Sequence, residues 1–140
     1  MLYIEKDLVD DLIAVAESTD EECCGFLFGY ERFDDRIVTE TMEAQNVAEE
    51  WKDRRFEISP REYLDAELYA DENNLKLLGF YHSHLDHPAI PSESDRLAAY
   101  PELSYVIVSV TNRKFKDIRC WRLNASARFD EEVIKNRTIN

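Results

Sequence analysis

Two histidines separated by one residue, His82-Ser83-His84, close an apolar run that begins Leu75-Lys76-Leu77-Leu78-Gly79-Phe80-Tyr81. If that run is a strand, its alternation turns residues 82 and 84 to the same face, and two imidazoles on one face can share one metal ion. Zinc in hydrolytic centres commonly takes three protein ligands from His, Asp and Glu and leaves its fourth position to water. A third ligand is therefore needed. Asp95, one loop downstream and near the start of a candidate helix that can fold back over the strand end, is the natural candidate.

The same residues have plainer readings. Ser92-Glu93-Ser94-Asp95 is also an N-capping pattern, so Ser92 and Asp95 alone read as helix-start residues. A His-x-His pair on a strand is by itself a weak metal signal. Cys23 and Cys24 could be nucleophiles or ligands, but with no Cys-x-x-Cys partner in an apolar run they read as small core residues. His87, in an Asp-His-Pro loop, could be a fourth ligand or touch substrate, and its simplest reading is an exposed loop residue. The stretch from Trp51 to Phe56, with Arg54 and Arg55, fits a groove wall and ordinary packing equally well.

The elements that must position these residues follow from periodicity. Leu8, Val9, Leu12, Ile13, Val15 and Ala16 recur at helical spacing across Lys6 to Ser18, predicting an amphipathic helix. The apolar run Cys23 to Tyr30 predicts a buried strand, in which Gly25 lets another backbone come close. Arg36 to Asn46 reads as a partly exposed strand, and Val47 to Glu57 as a loop with a short strand near Phe56. Ser59-Pro60-Arg61-Glu62 combines a capping serine, proline at the first helical position and glutamate three residues after the cap, opening a helix to about Asn73. Leu75 to Ser83 then reads as a central strand that delivers the histidines. Pro88 and Pro91 keep the next stretch irregular before a short helix over Asp95 to Tyr100. Ser104 to Val110 and Asp117 to Leu123 read as neighbouring strands joined by a hairpin loop over Asn112 to Lys116. Strands interleaved with helices predict an α/β or α+β domain, with helices on a mixed sheet.

Taken together, His82, His84, Ser92 and Asp95 spell His-x-His-x7-Ser-x-x-Asp, which resembles the JAMM motif of MPN+ domain metalloproteases. The second half of that signature is an upstream glutamate in a Glu-x-x-Gly setting, and Glu22-Cys23-Cys24-Gly25 matches it; the spacing to Gly25 selects Glu22 over the adjacent Glu21. The flanks Gly79-Phe80-Tyr81 and Pro91-Ser92-Glu93-Ser94, and the strands at Tyr105–Val110 and Cys120–Leu123, also look like compact bacterial stand-alone members. The resemblance covers residues 1–130 and leaves 131–140 as a C-terminal tail. One departure is Leu85, where many relatives carry proline after the second histidine, which would loosen the loop without removing a ligand.

The resemblance implies a single MPN/JAMM domain with a curved mixed β-sheet flanked by helices, similar to the cytidine deaminase fold. It implies Zn2+ held by His82, His84 and Asp95, with Glu22 as general base and then acid, and Ser92 donating a hydrogen bond to the carbonyl oxygen as charge develops on it. Two neutral imidazoles and a carboxylate around zinc would lower the pKa of a water to about 7. Ser83, pointing to the opposite side of the strand, is expected to support the site rather than act in it. The implied reaction is hydrolysis of a peptide or isopeptide bond, at the C-terminus of a ubiquitin-like or sulfur-carrier protein. Two other classes fit the sequence less well. A non-catalytic MPN-type scaffold would lack some ligands, whereas this chain keeps them all. A zinc deaminase would need His-x-Glu and Pro-Cys-x-x-Cys, which are missing.

Composition agrees and excludes. The 140 residues, 44% of them hydrophobic, suit one core. Thirty acidic against 17 basic residues give a formal charge of −13, which repels phosphate backbones and anionic lipid, so neither nucleic acid nor membrane is an expected partner. Glu5, Asp7, Asp10 and Asp11 interrupt any N-terminal apolar run, so no signal peptide is expected. An odd number of cysteines, three, does not make a disulfide framework and suits a reducing cytoplasm.

Overall fold

A computed structural model describes residues 1–137. Eleven elements follow in order: β1 (Leu2–Glu5), α1 (Lys6–Glu17), β2 (Cys24–Arg32), β3 (Asp35–Ala44), α2 (Pro60–Glu72), β4 (Lys76–Leu85), α3 (Glu93–Ala98), β5 (Ser104–Thr111), β6 (Lys114–Leu123), β7 (Phe129–Glu132) and β8 (Ile134–Arg137). The strands form one eight-stranded sheet in the order β7-β6-β5-β4-β2-β3-β1-β8. The pairs β4–β5, β1–β3 and β1–β8 are parallel and the others antiparallel, so the sheet is mixed, as expected.

The two long helices cover opposite faces, because successive residues of a strand point to opposite sides. Cys23, Leu27, Tyr81, Val106 and Val108 join Leu12 and Ala16 of α1 in one buried cluster. Cys24, Phe26, Phe28, Phe80 and Tyr105 join Ala66 and Ala70 of α2 in the other. The adjacent cysteines thus belong to different cores. Burial raises the thiol pKa of both, Cys24 to about 12, which opposes thiolate chemistry. Gly25 makes the predicted close approach: an added Cβ would lie 2.3 Å from the Met42 carbonyl oxygen and 2.4 Å from the Tyr81 ring.

Several expectations need correction. The short strand near Phe56 does not form; residues 55–59 are irregular, with Val47 N–H donating to the Glu57 carbonyl as a single bridge (2.8 Å). The β5–β6 hairpin is tighter than expected: Asn112 and Arg113, at φ 51° and 61°, turn the chain in two residues, and Lys114 is already in β6. Strand β1 is too short to show a period. Of the C-terminal stretch 131–140, residues 131–137 add the end of β7 and all of β8, which pairs with β1; residues 138–140 lie outside the described residues. No helix among the described residues is long and apolar enough to cross a membrane.

Candidate active site

Strand β4 carries His82 and His84 to its C-terminal end, both buried, on the side of the sheet that packs Phe80 against α2. The loop that follows is held from three sides. Asp86 N–H donates to the Val110 carbonyl (2.7 Å), the Ser109 hydroxyl donates to the His87 carbonyl, and Trp121 Nε1–H donates to the Ala89 carbonyl (2.9 Å). These three bonds tie the loop after Leu85 to β5 and β6. At its end Ser92 caps α3 in a reciprocal box: the Asp95 N–H donates to Ser92 Oγ (3.0 Å) and the Ser92 N–H donates to Asp95 Oδ2 (2.9 Å). The helix begins two residues before the expected start, because the cap is Ser92 itself.

That cap aims the carboxylate. Asp95 Oδ2 lies 3.2 Å from His82 Nε2 and 3.0 Å from His84 Nε2, and the two imidazole nitrogens are 3.2 Å apart. The capping reading and the ligand reading of Ser92-x-x-Asp95 are thus compatible, since one carboxylate oxygen meets both the helix start and the imidazoles. His84 Nδ1 lies 2.7 Å from the Pro88 carbonyl, an acceptor only, so Nδ1 carries the proton and Nε2 of a neutral ring presents its lone pair to the cluster. Three lone-pair donors converging within hydrogen-bond distance repel one another unless a proton or a cation lies among them. Among the described residues this is the group of three with atoms close enough to hold one ion.

Electrostatics say the same. Burial pushes the Asp95 carboxyl up, but the charge on His82 and hydrogen bonds from His82, His84 and the Ser92 N–H outweigh it and hold it well below the usual range. Burial pushes His84 down, and its bonds to Asp95 and Pro88 with the charges of Asp95 and Glu22 raise it on balance.

Glu22 stands at the entrance to β2, only 2% exposed, while Glu21 is exposed and faces Lys52. Burial pushes the Glu22 carboxyl from 4.5 up to about 8, with His84 opposing and Asp95 and Asp53 adding. Its Oε1 is buried without a hydrogen-bond partner among the described residues. A carboxyl so placed can take and return a proton near neutral pH. With His84, Ser92, Arg54, His87 and Ile90 it lines a cavity of about 320 Å3. His87 is exposed, its ring 6.4 Å from that of His84, and it is not part of the converging group.

Of three supports, Ser83 is the one expected from the sequence; Asn46 and Phe56 are not. Asn46, 5% exposed, ties the connection after β3 to Glu22 through both ends of its amide. Ser83 Oγ accepts the Cys23 N–H (2.8 Å), so the residue between the histidines pins the one after Glu22. Phe56 stacks on His82 with centroids 4.4 Å apart. An Asn at a strand end was a signal that could have been found; the Phe56 contact, 26 positions from its partner, had none.

Residues 5–124 match the family described as prokaryotic homologs of the JAB domain. The chain belongs to this family. Among similar proteins, a desampylase of Pyrococcus furiosus is 30% identical over 95% of this chain and 89% of its own, and one of Haloferax volcanii is 34% identical over 66% and 65%. Among solved structures, protein DSY2949 from Desulfitobacterium hafniense superposes with a TM-score of 0.84 at 31% identity, covering 98% of this chain and 94% of that one. A protein from Salinibacter ruber gives a TM-score of 0.74 at 34% identity over 96% and 91%.

Proposed function

We propose that this JAB/JAMM-family chain is a zinc-dependent peptidase or isopeptidase acting at the C-terminal tail of a ubiquitin-like or sulfur-carrier protein. The observation that carries the reading is the convergence of His82 Nε2, His84 Nε2 and Asp95 Oδ2 within 3.2 Å, beside the buried Glu22 carboxyl. Two imidazoles and one carboxylate suit zinc by ligand type and number. When bound, zinc supplies a charge that acidifies water and polarises the scissile carbonyl.

The chain's own residues do the rest. Glu22, poised by burial, accepts the proton of the attacking water and passes it to the leaving amine. Ser92 Oγ accepts the Asp95 N–H, which leaves its own hydrogen free to donate to the carbonyl oxygen as negative charge grows there. The Pro88 carbonyl fixes the His84 tautomer, and Phe56 covers one face of His82. An extended tail lies in the cleft between Arg54 and Ile90, which lead to Glu22. The desampylase names of two relatives are in keeping with such a substrate.

The test is elemental analysis of dialysed protein beside the His82→Ala/His84→Ala variant, followed by cleavage of ubiquitin-like fusions. About one zinc per chain, lost in the double variant, together with cleavage abolished by Glu22→Gln, is expected. A chain that takes up no metal even after zinc is added back instead favours a non-catalytic scaffold.

A further inference from the structure

A second cavity, also of about 320 Å3, opens between α2, β4 and α3, with His82 and Asp95 at one end. It lies apart from the Glu22 cleft, with which it shares none of its lining residues. Its walls are aromatic: Phe56, Tyr63, Phe80, Tyr100 and Tyr105 line it, and no Lys or Arg does. The rings brace one another without filling the space, Phe80 lying 5.6 Å from Tyr105 and 5.9 Å from Tyr63 between centroids. The Tyr105 hydroxyl oxygen accepts the Tyr100 N–H (2.6 Å), and the Tyr105 ring lines the cavity. Tyr100 and Ala98, both exposed, stand at the mouth.

An apolar hollow open to water is unfavourable left wet and rewards whatever fills it with buried apolar area. At the low end of ligand-pocket size, roughly 300–1,000 Å3, this one admits a single large side chain and no folded partner. Ring spacings of about 4.5–7 Å around it are those at which a further ring makes offset or edge contacts. Because two of its walls are candidate metal ligands, an occupant must belong to a residue adjoining the reacting bond. A basic side chain gains little, since Glu57 is the one acidic wall residue besides Asp95.

We propose that this cavity is a specificity subsite for one bulky apolar side chain, aromatic by preference, on a substrate residue directly next to the scissile amide. The reaction rests on the hydrolase reading above; the binding does not. Two readouts separate them. In the first, zinc-loaded protein is titrated with N-acetyl-phenylalaninamide or N-acetyl-glycinamide while the methyl resonances of Ala98 and Ile58 are followed. Saturable shifts with the phenylalanine compound alone are expected, and in Ala98→Phe the shift at Ile58 is lost. Ala98 is exposed and outside the proton-transfer and ligand set, so that variant narrows the mouth without touching the core. In the second, peptides carry Gly, Ala, Leu or Phe in turn on either side of the cleaved bond. At one of the two positions Phe should raise kcat/KM about tenfold or more over Ala. Ala98→Phe should erase that preference and leave the glycine peptide unchanged. A flat profile at both positions, or no shift at Ala98 and Ile58, overturns the subsite. Saturable shifts with no peptide cleaved at all would uphold the subsite and sink the hydrolase reading.

Discussion

Asn46 holds Glu22 by its main chain: Asn46 Nδ2 donates to the Glu22 carbonyl at 3.0 Å and to the Arg55 carbonyl at 2.8 Å, while its Oδ1 accepts the N–H groups of Ala48 and Glu57. The Glu22 N–H donates to the Lys52 carbonyl (2.7 Å), so the candidate base is fixed from both sides by the connection that crosses above it. Asn46→Ala leaves several buried backbone groups without partners, each worth about 1–3 kcal/mol. Loss of about 2–4 kcal/mol in denaturant unfolding is expected, with kcat falling more than KM rises and zinc content retained. Wild-type stability in the variant would show that water replaces the amide and that Asn46 does not position Glu22.

The stability curves of the metal-free and zinc-loaded proteins should diverge as pH rises. Glu22 has its pKa raised from 4.5 to about 8, so its contribution to stability is fully present below 4.5 and is lost as pH rises through about 8. His84 is raised above 6.5 and has the same sign, its contribution being fully present below 6.5 and lost as pH rises through its folded value. Asp95 is depressed, and its contribution is lost only in acid, well under this window. Protein treated with chelator should therefore lose stability from about pH 4.5 to 8, whereas the rise in Tm conferred by zinc should grow, since neutral imidazoles bind metal. Melting curves recorded with zinc and with chelator across that range decide it; parallel Tm profiles would refute the assignment.

Ser92 is asked to do two things, and they separate in one variant. Ser92→Ala removes the acceptor for the Asp95 N–H, costing about 1 kcal/mol of cap stability. It also removes the hydroxyl that faces the Glu22 cleft, which should lower kcat about 100-fold with little change in KM. If kcat drops only in proportion to lost zinc, Ser92 serves the cap alone.

Gly25→Ala tests the packing beside the candidate base, Glu22. The new methyl would lie 2.3 Å from a backbone oxygen and 2.4 Å from the Tyr81 ring, at the buried start of β2, and neither neighbour can give way freely. Destabilisation of about 2–3 kcal/mol by thermal or denaturant unfolding is expected. A loss under about 0.5 kcal/mol would mean that the β2–β3 pair shifts at little cost.

Much of this was legible in one dimension, and the reason is local. Helix α2 could be read from Ser59-Pro60-Arg61-Glu62 because capping chemistry is a matter of near neighbours, and the Ser59 side chain does accept the Glu62 N–H. Strand β5 announced itself through β-branched residues buried on both faces, and β4 through an apolar run that ends in its two histidines. The spacing His82-x-His84 with Ser92-x-x-Asp95 sufficed to name the three converging residues, since a strand end, a pinned loop and a helix cap leave few other ways to fold.

What adjacency cannot encode was decided by the tertiary structure. Whether Glu21 or Glu22 is buried depends on the Lys52 carbonyl and on Asn46, which arrive from another segment. The short β1 and β8 carry no period and exist only because each pairs with a strand distant in the chain. Residues 55–59 read as a strand near Phe56 but run without a ladder, because they cross over His82 and build the aromatic cavity instead. The identities of the candidate site residues were set by short-range spacing; their burial, their shifted pKa values and the hollow beside them come from contacts between segments that only folding brings together.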